Sequence, residues 1–251
     1  MLRKGGKCVK ILLMQSFYTT ICFGVQANSS DGRRKITCVN FSSPLRNKLL
    51  RRMEMSISMT EKVYMRELTE QEMTEIYQSH LVEDFPAGEV KPLAHMLEGR
   101  KKGQYEAYGL FEKDTLKGYA YFIKNSTQPA ALLDYFAIVR GLRSAGYGSL
   151  FLKKLQAMCI EQQKQLILEV ENPDYETRED KKVLMHRRIA FYQKNGMQLS
   201  GVTCNFYDNE YRIMYAGAHC EDTKVQEITM NTYLNFFGAD VVRKRAVFHA
   251  L

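Results

Sequence analysis

The sequence predicts an α/β protein built on one mixed sheet with helices packed on it. Three observations carry that expectation. Strand-like and helix-like periodicities follow one another in the order β-α-α-β-β-β-α-β-α-β-β, so strands alternate with helices only in part. Residues 131–139 (ALLDYFAIV) are nearly continuously apolar, as a central strand covered on both faces is, and 165–171 (QLILEVE) reads as another buried strand. Two pairs of alternating segments are joined by short polar turns, as in hairpins.

Convincing patterning begins near Met59. Residues 63–68 (VYMREL) alternate as a strand does. Thr69 then caps a helix, and Glu72 three residues later completes a capping box. That helix carries Met73, Ile76, Tyr77 and Leu81 on one stripe. A second helix is expected from about Glu89 to Lys102, with Leu93, Met96 and Leu97 inward and Pro92 in its first turn. Residues 105–113 and 117–125 form a hairpin joined by Asp-Thr-Leu, and strand 131–139 follows. Gly146–Gln163 is a helix, and strand 165–171 stops at Asn172-Pro173. Residues 183–196 form a helix closed by Asn195-Gly196, a natural C-terminal cap. Residues 201–207 and 211–216 pair around Asp-Asn-Glu, and 223–237 suggest a closing helix. Its aromatic end, Tyr233 to Phe237, packs on its own sheet or on a partner chain.

Charge divides the chain. It holds 36 Lys and Arg against 28 Asp and Glu. Residues 1–58 contain 11 of the former and 2 of the latter, so the remainder is close to neutral. The first 58 residues have roughly the layout of a signal peptide, diluted by Gln15, Ser16, Thr19 and Thr20. They lack sustained periodicity and are read as an extension outside the fold, with Met53, Met55 and Met59 as candidate starts. A chain beginning near Met59 is expected to fold. The expected organisation is an extension over 1–58, a main domain over 59–217, and a tail with a packing helix over 218–251. A neutral core argues against a nucleic-acid partner. No apolar run reaches membrane-spanning length, so no membrane partner is expected. The six cysteines form no Cys-x-x-Cys and no zinc spacing with histidine, so free thiols and no metal are expected.

The chemistry concentrates at 143–148, RSAGYG, which has the form Arg-x-x-Gly-x-Gly. A buried strand ends just before it and a helix opens at it. Consecutive N–H groups of such a loop and first helical turn converge on one spot, the helix dipole adds partial positive charge, and Arg143 adds a full one. The alternative is a plain strand–helix turn. As a phosphate cradle it lacks the Lys-Ser/Thr of a P-loop, because Ser149-Leu150 follow the second glycine. It also lacks the third glycine of a dinucleotide fold, where Phe151 stands.

The remaining fit is a resemblance to the GNAT superfamily of acyl-CoA-dependent N-acetyltransferases, whose signature is Gln/Arg-x-x-Gly-x-Gly/Ala. The resemblance covers roughly residues 60–216. It rests on the order of elements, the complete Arg143–Gly148 signature, and RRIAFYQKNGM at 187–197. That stretch is similar to the family's Tyr-x-x-x-Gly-Phe helix end, with Met197 in place of Phe. The resemblance implies a central, mostly antiparallel mixed sheet flanked by helices, and acetyl-CoA as cosubstrate. The pantetheine arm would pair with the central strand through the backbone of Ile138 and Val139. The pyrophosphate would rest on N–H groups of Arg143, Ser144, Ala145, Gly146, Tyr147 and Gly148, with Ser149.

The family implies direct attack by an amine within a ternary complex, in the cytoplasm. Such a transfer needs a deprotonated amine, a stabilised oxyanion and a protonated leaving thiolate. Tyr192 matches the family's tyrosine near the sulfur; its other reading is a core aromatic beside Phe191. For the base, Glu169 and Glu171 share one face of their strand, and Asp134 lies on the central strand. For Glu169 and Glu171 the alternative is a solvated edge or ion pairs to Arg187 or Arg188, and a water relay without a named residue is a further route for the proton. His186 is a lone helical histidine. Acidic segments at 80–89 and 172–181 fit a basic small-molecule or peptide amine as acceptor. A homodimer is compatible with the sequence, and a non-catalytic CoA-binding module is the competing function.

Overall fold

The computed structural model describes residues 63–125 and 128–250. The expectations for residues 1–58 lie outside the described residues. The described residues belong to one compact unit.

Strand β1 (Val63–Glu67) leads into helix α1 (Glu70–Ile76), which runs on through a π-helical turn (Tyr77–Leu81) to a last turn at Val82–Asp84. The capping box forms as the sequence predicts. The Thr69 hydroxyl accepts from the Glu72 N–H, and the Glu72 carboxylate accepts from the Thr69 N–H at 2.9 Å. Arg66 adds a two-pronged ion pair to Glu72, and together these hold the Glu72 carboxyl down at about 2. Replacing Thr69 with Ala is expected to cost about 1 kcal/mol, read as a lower denaturation midpoint with an unchanged slope.

Helix α2 covers Leu93–Lys101, shorter than expected, because Pro92 caps it from outside rather than filling its first turn. Strands β2 (Tyr105–Glu112) and β3 (Thr115–Lys124) form the first hairpin. Its turn is Lys113-Asp114, both at positive φ (49° and 61°), one residue earlier than the sequence suggested. The second hairpin, β6 (Met197–Phe206) and β7 (Asn209–Ala216), likewise turns at Tyr207-Asp208 (50° and 62°). The right-handed twist of paired strands selects two-residue turns with both residues left-handed. Neither turn has the glycine that would mark it in a sequence.

Between the hairpins lie β4 (Ala130–Ile138), α3 (Tyr147–Glu161), β5 (Gln165–Glu171) and α4 (Glu179–Lys194). Gly196, at φ +90°, closes α4 as expected. After β7 come α5 (Asp222–Phe237), a short α6 (Ala239–Arg245) and β8 (Ala246–Ala250). The last two elements were not foreseen. They make the C-terminal segment more than a packing helix, since β8 pairs antiparallel with β6.

The strands described form one sheet in the order β1-β2-β3-β4-β5-β7-β6-β8. All neighbours are antiparallel except β4 and β5. One face is aromatic. Tyr105, Tyr119, Tyr121 and Tyr135 are buried there with Met73, Met96, Tyr233 and Phe236. The aromatic end of α5 therefore packs on its own sheet: Tyr233 stacks on Phe206 at 4.5 Å and Phe236 on His95 at 4.7 Å. The other face meets α3 and α4 through Phe136, Phe151, Tyr192 and the buried Leu152 and Leu155.

Candidate active site

The sheet opens at its centre. β4 and β5 pair only over Ala130–Leu133 and Gln165–Leu168. Beyond that point β5 stays with β7, while β4 stays with β3. The cause is a single extra residue. Tyr135 pairs with Tyr121 and Leu133 with Phe122, which leaves Asp134 unpaired in a β-bulge. A bulge bends its strand and ends regular pairing, and here it carries the end of β4 away from β5.

Backbone groups line this gap by alternation. The Val139 N–H donates to Lys117 O at 3.0 Å, and the Val139 carbonyl accepts from the Leu142 N–H at 3.1 Å. Every second residue of β4 therefore turns the opposite way, so Phe136 and Ile138 direct their peptide groups into the gap. This corrects one expectation. Ile138 has backbone free for an added strand, but both polar groups of Val139 are already used by the fold.

The glycine loop begins where β4 ends. Gly141, Ser144 and Gly146 have φ of 85°, 69° and 92°. Gly146 is the cap residue of α3 and has no side-chain cap bond. Among the described residues, no protein acceptor takes the N–H groups of Arg143, Ser144, Ala145, Gly146, Tyr147, Gly148 or Ser149. These are the N–H groups that the sequence offers as an anion cradle, and the fold leaves them without a protein acceptor. Gly148 forms the wall between loop and gap: a Cβ there would stand 3.3 Å from the Phe191 ring and 3.6 Å from Ile138. The Tyr147 hydroxyl donates to Glu112 at 2.9 Å, so this residue offers the loop its backbone only.

Arg143 is held from the other side. Its guanidinium reaches Asp84 Oδ1 at 3.1 Å, and Arg140 Nε reaches the same oxygen at 3.0 Å. The Asp84 side chain is almost completely buried and also accepts from the Tyr119 hydroxyl at 2.9 Å. The last turn of the first helix is thereby tied to the glycine loop.

The carboxylates separate into distinct environments. Glu171 is ion-paired to Arg188, as the alternative reading allowed for one of the carboxylates. Asp134 is fixed by Lys91 Nζ at 2.6 Å and by the Tyr105 hydroxyl at 2.5 Å. Glu169 stays without such a partner. It is partly exposed as a residue, yet its Oε1 is enclosed and makes no hydrogen bond among the described residues. Desolvation, with a smaller push from Asp134 and a pull back from Lys91, brings its carboxyl up to about 7. Glu89 is also pushed up, by burial and then by Glu171.

Tyr192 lies on the opposite face, 8% exposed, beside Phe136 at 6.3 Å and Phe191 at 5.3 Å. Burial raises its hydroxyl to about 12, with Arg188 pulling slightly down, and the hydroxyl makes no hydrogen bond among the described residues. Glu169 and Tyr192 thus flank the gap from its two sides. His186 is exposed on α4. Lys91, Tyr105, Asp84 and Phe136 are the site residues that sequence reasoning missed; of these only Phe136 had a local signal, its place on the central strand.

Among the described residues no helix is long and apolar enough to cross a membrane, and no three His, Cys, Asp or Glu side chains are placed to hold a metal. No protein-family model matches the chain, and no curated protein matches it. Solved structures do. A Bacteroides thetaiotaomicron protein assigned to the GNAT family of acetyltransferases matches with a TM-score of 0.56 and 22% identity, over 70% of this chain and 99% of its own. The ribosomal-protein-S18-alanine N-acetyltransferase of Escherichia coli matches at 0.47 and 16%, over 62% of this chain and 96% of its own. A GNAT-family acetyltransferase of Elizabethkingia anophelis with acetyl-CoA bound matches at 0.42 and 11%, over 62% and 99%. On the first of these matches, and on the split sheet and glycine loop described above, the chain has the fold of the GNAT superfamily of N-acetyltransferases.

Proposed function

We propose that the protein is an N-acetyltransferase that moves an acetyl group from acetyl-CoA to a primary amine, by direct attack in a ternary complex. The observation that carries this reading is the gap between β4 and β5, which ends at a loop of unused N–H donors and is flanked by Glu169 and Tyr192.

The residues present fit acetyl-CoA. The unused N–H groups from Arg143 to Ser149, with the dipole of a helix of 15 residues behind them, suit a pyrophosphate. Gly146 brings that backbone close at a φ that side-chain-bearing residues rarely adopt. The peptide groups of Phe136 and Ile138 suit the amides of an extended arm lying as an added strand. When bound, acetyl-CoA supplies an activated acyl group as a thioester.

The chain's own residues then manage protons. Glu169, ionising near 7, is poised to take the proton that an ammonium must lose to become a nucleophile. Tyr192, protonated up to about 12, holds a proton at Oη on the other side of the gap for a departing thiolate. Glu171, already paired to Arg188, shapes the field rather than exchanging protons. An acetyl acceptor that arrives as a cation suits the half-buried Glu89 carboxylate, which lies close enough to Glu171 to be pushed up by it. Acceptor identity, small molecule or peptide, is the variable an amine screen reads.

The test is release of free thiol from acetyl-CoA over a panel of amines. Tyr192→Phe is expected to lower turnover by about 10²-fold, the low end for a proton-transfer group, while leaving CoA binding within error of wild type. Unchanged turnover would remove Tyr192 from the mechanism. The enclosed, unpartnered Glu169 favours this reading over a non-catalytic CoA-binding module.

A further inference from the structure

The bulge in β4 has a consequence for the gap. It turns Asp134 onto the aromatic face of the sheet, where Tyr105 and Lys91 take its two oxygens. Leu133 and Leu168 are the last paired residues of β4 and β5, so Asp134 and Glu169 are the next residues on either side of the opening. Lys91 is itself fixed from several directions. Its N–H donates to the Tyr135 hydroxyl at 2.9 Å, its carbonyl accepts from the Tyr77 hydroxyl at 3.1 Å, and its ammonium lies 5.1 Å from the Tyr135 ring centre and 5.6 Å from that of Phe237. Its side chain is only 20% exposed. A strongly hydrated ammonium is placed so deeply only with a charged partner to offset its desolvation, here Asp134.

We propose, resting on the reading of Glu169 as proton acceptor, that Lys91 and Asp134 are positioning residues for Glu169. Asp134, locked at the bulge by Tyr105, holds the Lys91 ammonium beside the gap, and Lys91 supplies a compensating positive charge to the Glu169 carboxylate. The pair acts in opposite senses on its neighbour. Lys91 favours the ionised carboxylate and Asp134 disfavours it. The other charged or titratable groups on the side of Glu169 are Glu89 ahead of α2, Glu171 on its own strand, Tyr211 on β7 and Cys204 on β6; both Tyr211 and Cys204 are held well above their ordinary range by burial first and then by Glu169. Tyr211 and Cys204 remain neutral across the working range, and the charges that act on Glu169 are those of Lys91 and Asp134, so this pair carries the adjustment. Without Lys91 the enclosed Glu169 would hold its proton and fail to accept another.

The experiment is a carboxyl-carbon NMR titration of the full chain with labelled glutamate, the Glu169 resonance being identified by its loss in Glu169→Gln. Lys91→Met is expected to move the Glu169 midpoint up by about one pH unit, and Asp134→Asn to move it down, the scale expected for one nearby charge. Lys91→Arg, which keeps the charge, is expected to restore the wild-type midpoint. The acid limb of kcat/KM should move in the same directions. Shifts of one sign in both variants, or no shift in folded variants, would overturn the proposal. Should Lys91→Met fail to fold, Asp134→Asn and Lys91→Arg decide it on the same criterion. The titration needs no turnover. Opposite shifts in a protein without acetyltransferase activity would uphold the charge pair and reject only the catalytic reading on which its use depends.

Discussion

Replacing Glu169 with Gln is expected to lower kcat/KM by about 10²- to 10⁴-fold, the range for removing a positioned proton acceptor. The substitution keeps shape and removes only the ionisation. In the wild type, kcat/KM should rise as pH increases through about 7, because only the ionised carboxylate accepts a proton. In Glu169→Gln that limb should disappear. Stability should move the other way. The carboxyl ionises at 4.5 when free and near 7 in the fold. Between those values the folded state binds more protons than the unfolded one, so stability falls as pH rises and levels off above 7. The Gln variant should therefore gain stability relative to wild type at pH 8 and not at pH 4. A variant that keeps the acid limb, or turns over as fast as wild type, would assign the base elsewhere.

Gly146→Glu is expected to abolish measurable CoA binding. Two effects add. At φ +92° an L-residue costs about 1–2 kcal/mol. The new carboxylate would also face the N–H groups that are proposed to hold a pyrophosphate, replacing attraction with repulsion. Nothing lies within 4 Å of a Cβ at this position, so the change does not crowd the core. Gly146→Ala separates the terms: it keeps the strain and omits the charge, and should weaken binding by about tenfold. Equal effects of Ala and Glu would mean that the loop geometry matters and its anion-binding role does not.

The parts of the structure legible in the sequence are those fixed locally. The Thr69–Glu72 box, the Asn195-Gly196 helix end and the strand-to-helix junction at Arg143–Gly148 each depend on residues within a few positions, and each forms as a local element where it was read. The hairpin turns were displaced by one residue because Lys113-Asp114 and Tyr207-Asp208 adopt left-handed turns without glycine. Strand β8 escaped because a five-residue edge strand is held by its partner β6 rather than by its own pattern. The site divides the same way. Glu169 and Tyr192 follow from strand alternation and a helix motif. The bulge at Asp134 does not, since it exists only against β3. Lys91 meets Asp134 from 43 positions away, and Asp84 meets Arg143 from 59, so neither pairing leaves a local trace. The sequence treated Glu169 and Glu171 as equivalent. Only the packing shows Glu171 neutralised by Arg188 and Glu169 enclosed without a partner.

The most direct test of the central claim is a calorimetric titration of the full chain with desulfo-CoA, which presents the nucleotide and arm without a reactive sulfur. The account predicts saturable one-to-one binding that is retained in Glu169→Gln and Tyr192→Phe and lost in Gly146→Glu. A folded protein that takes up no heat from the ligand, across temperatures that would reveal a silent enthalpy, would contradict it and leave the split sheet and its glycine loop without the ligand they are proposed to hold.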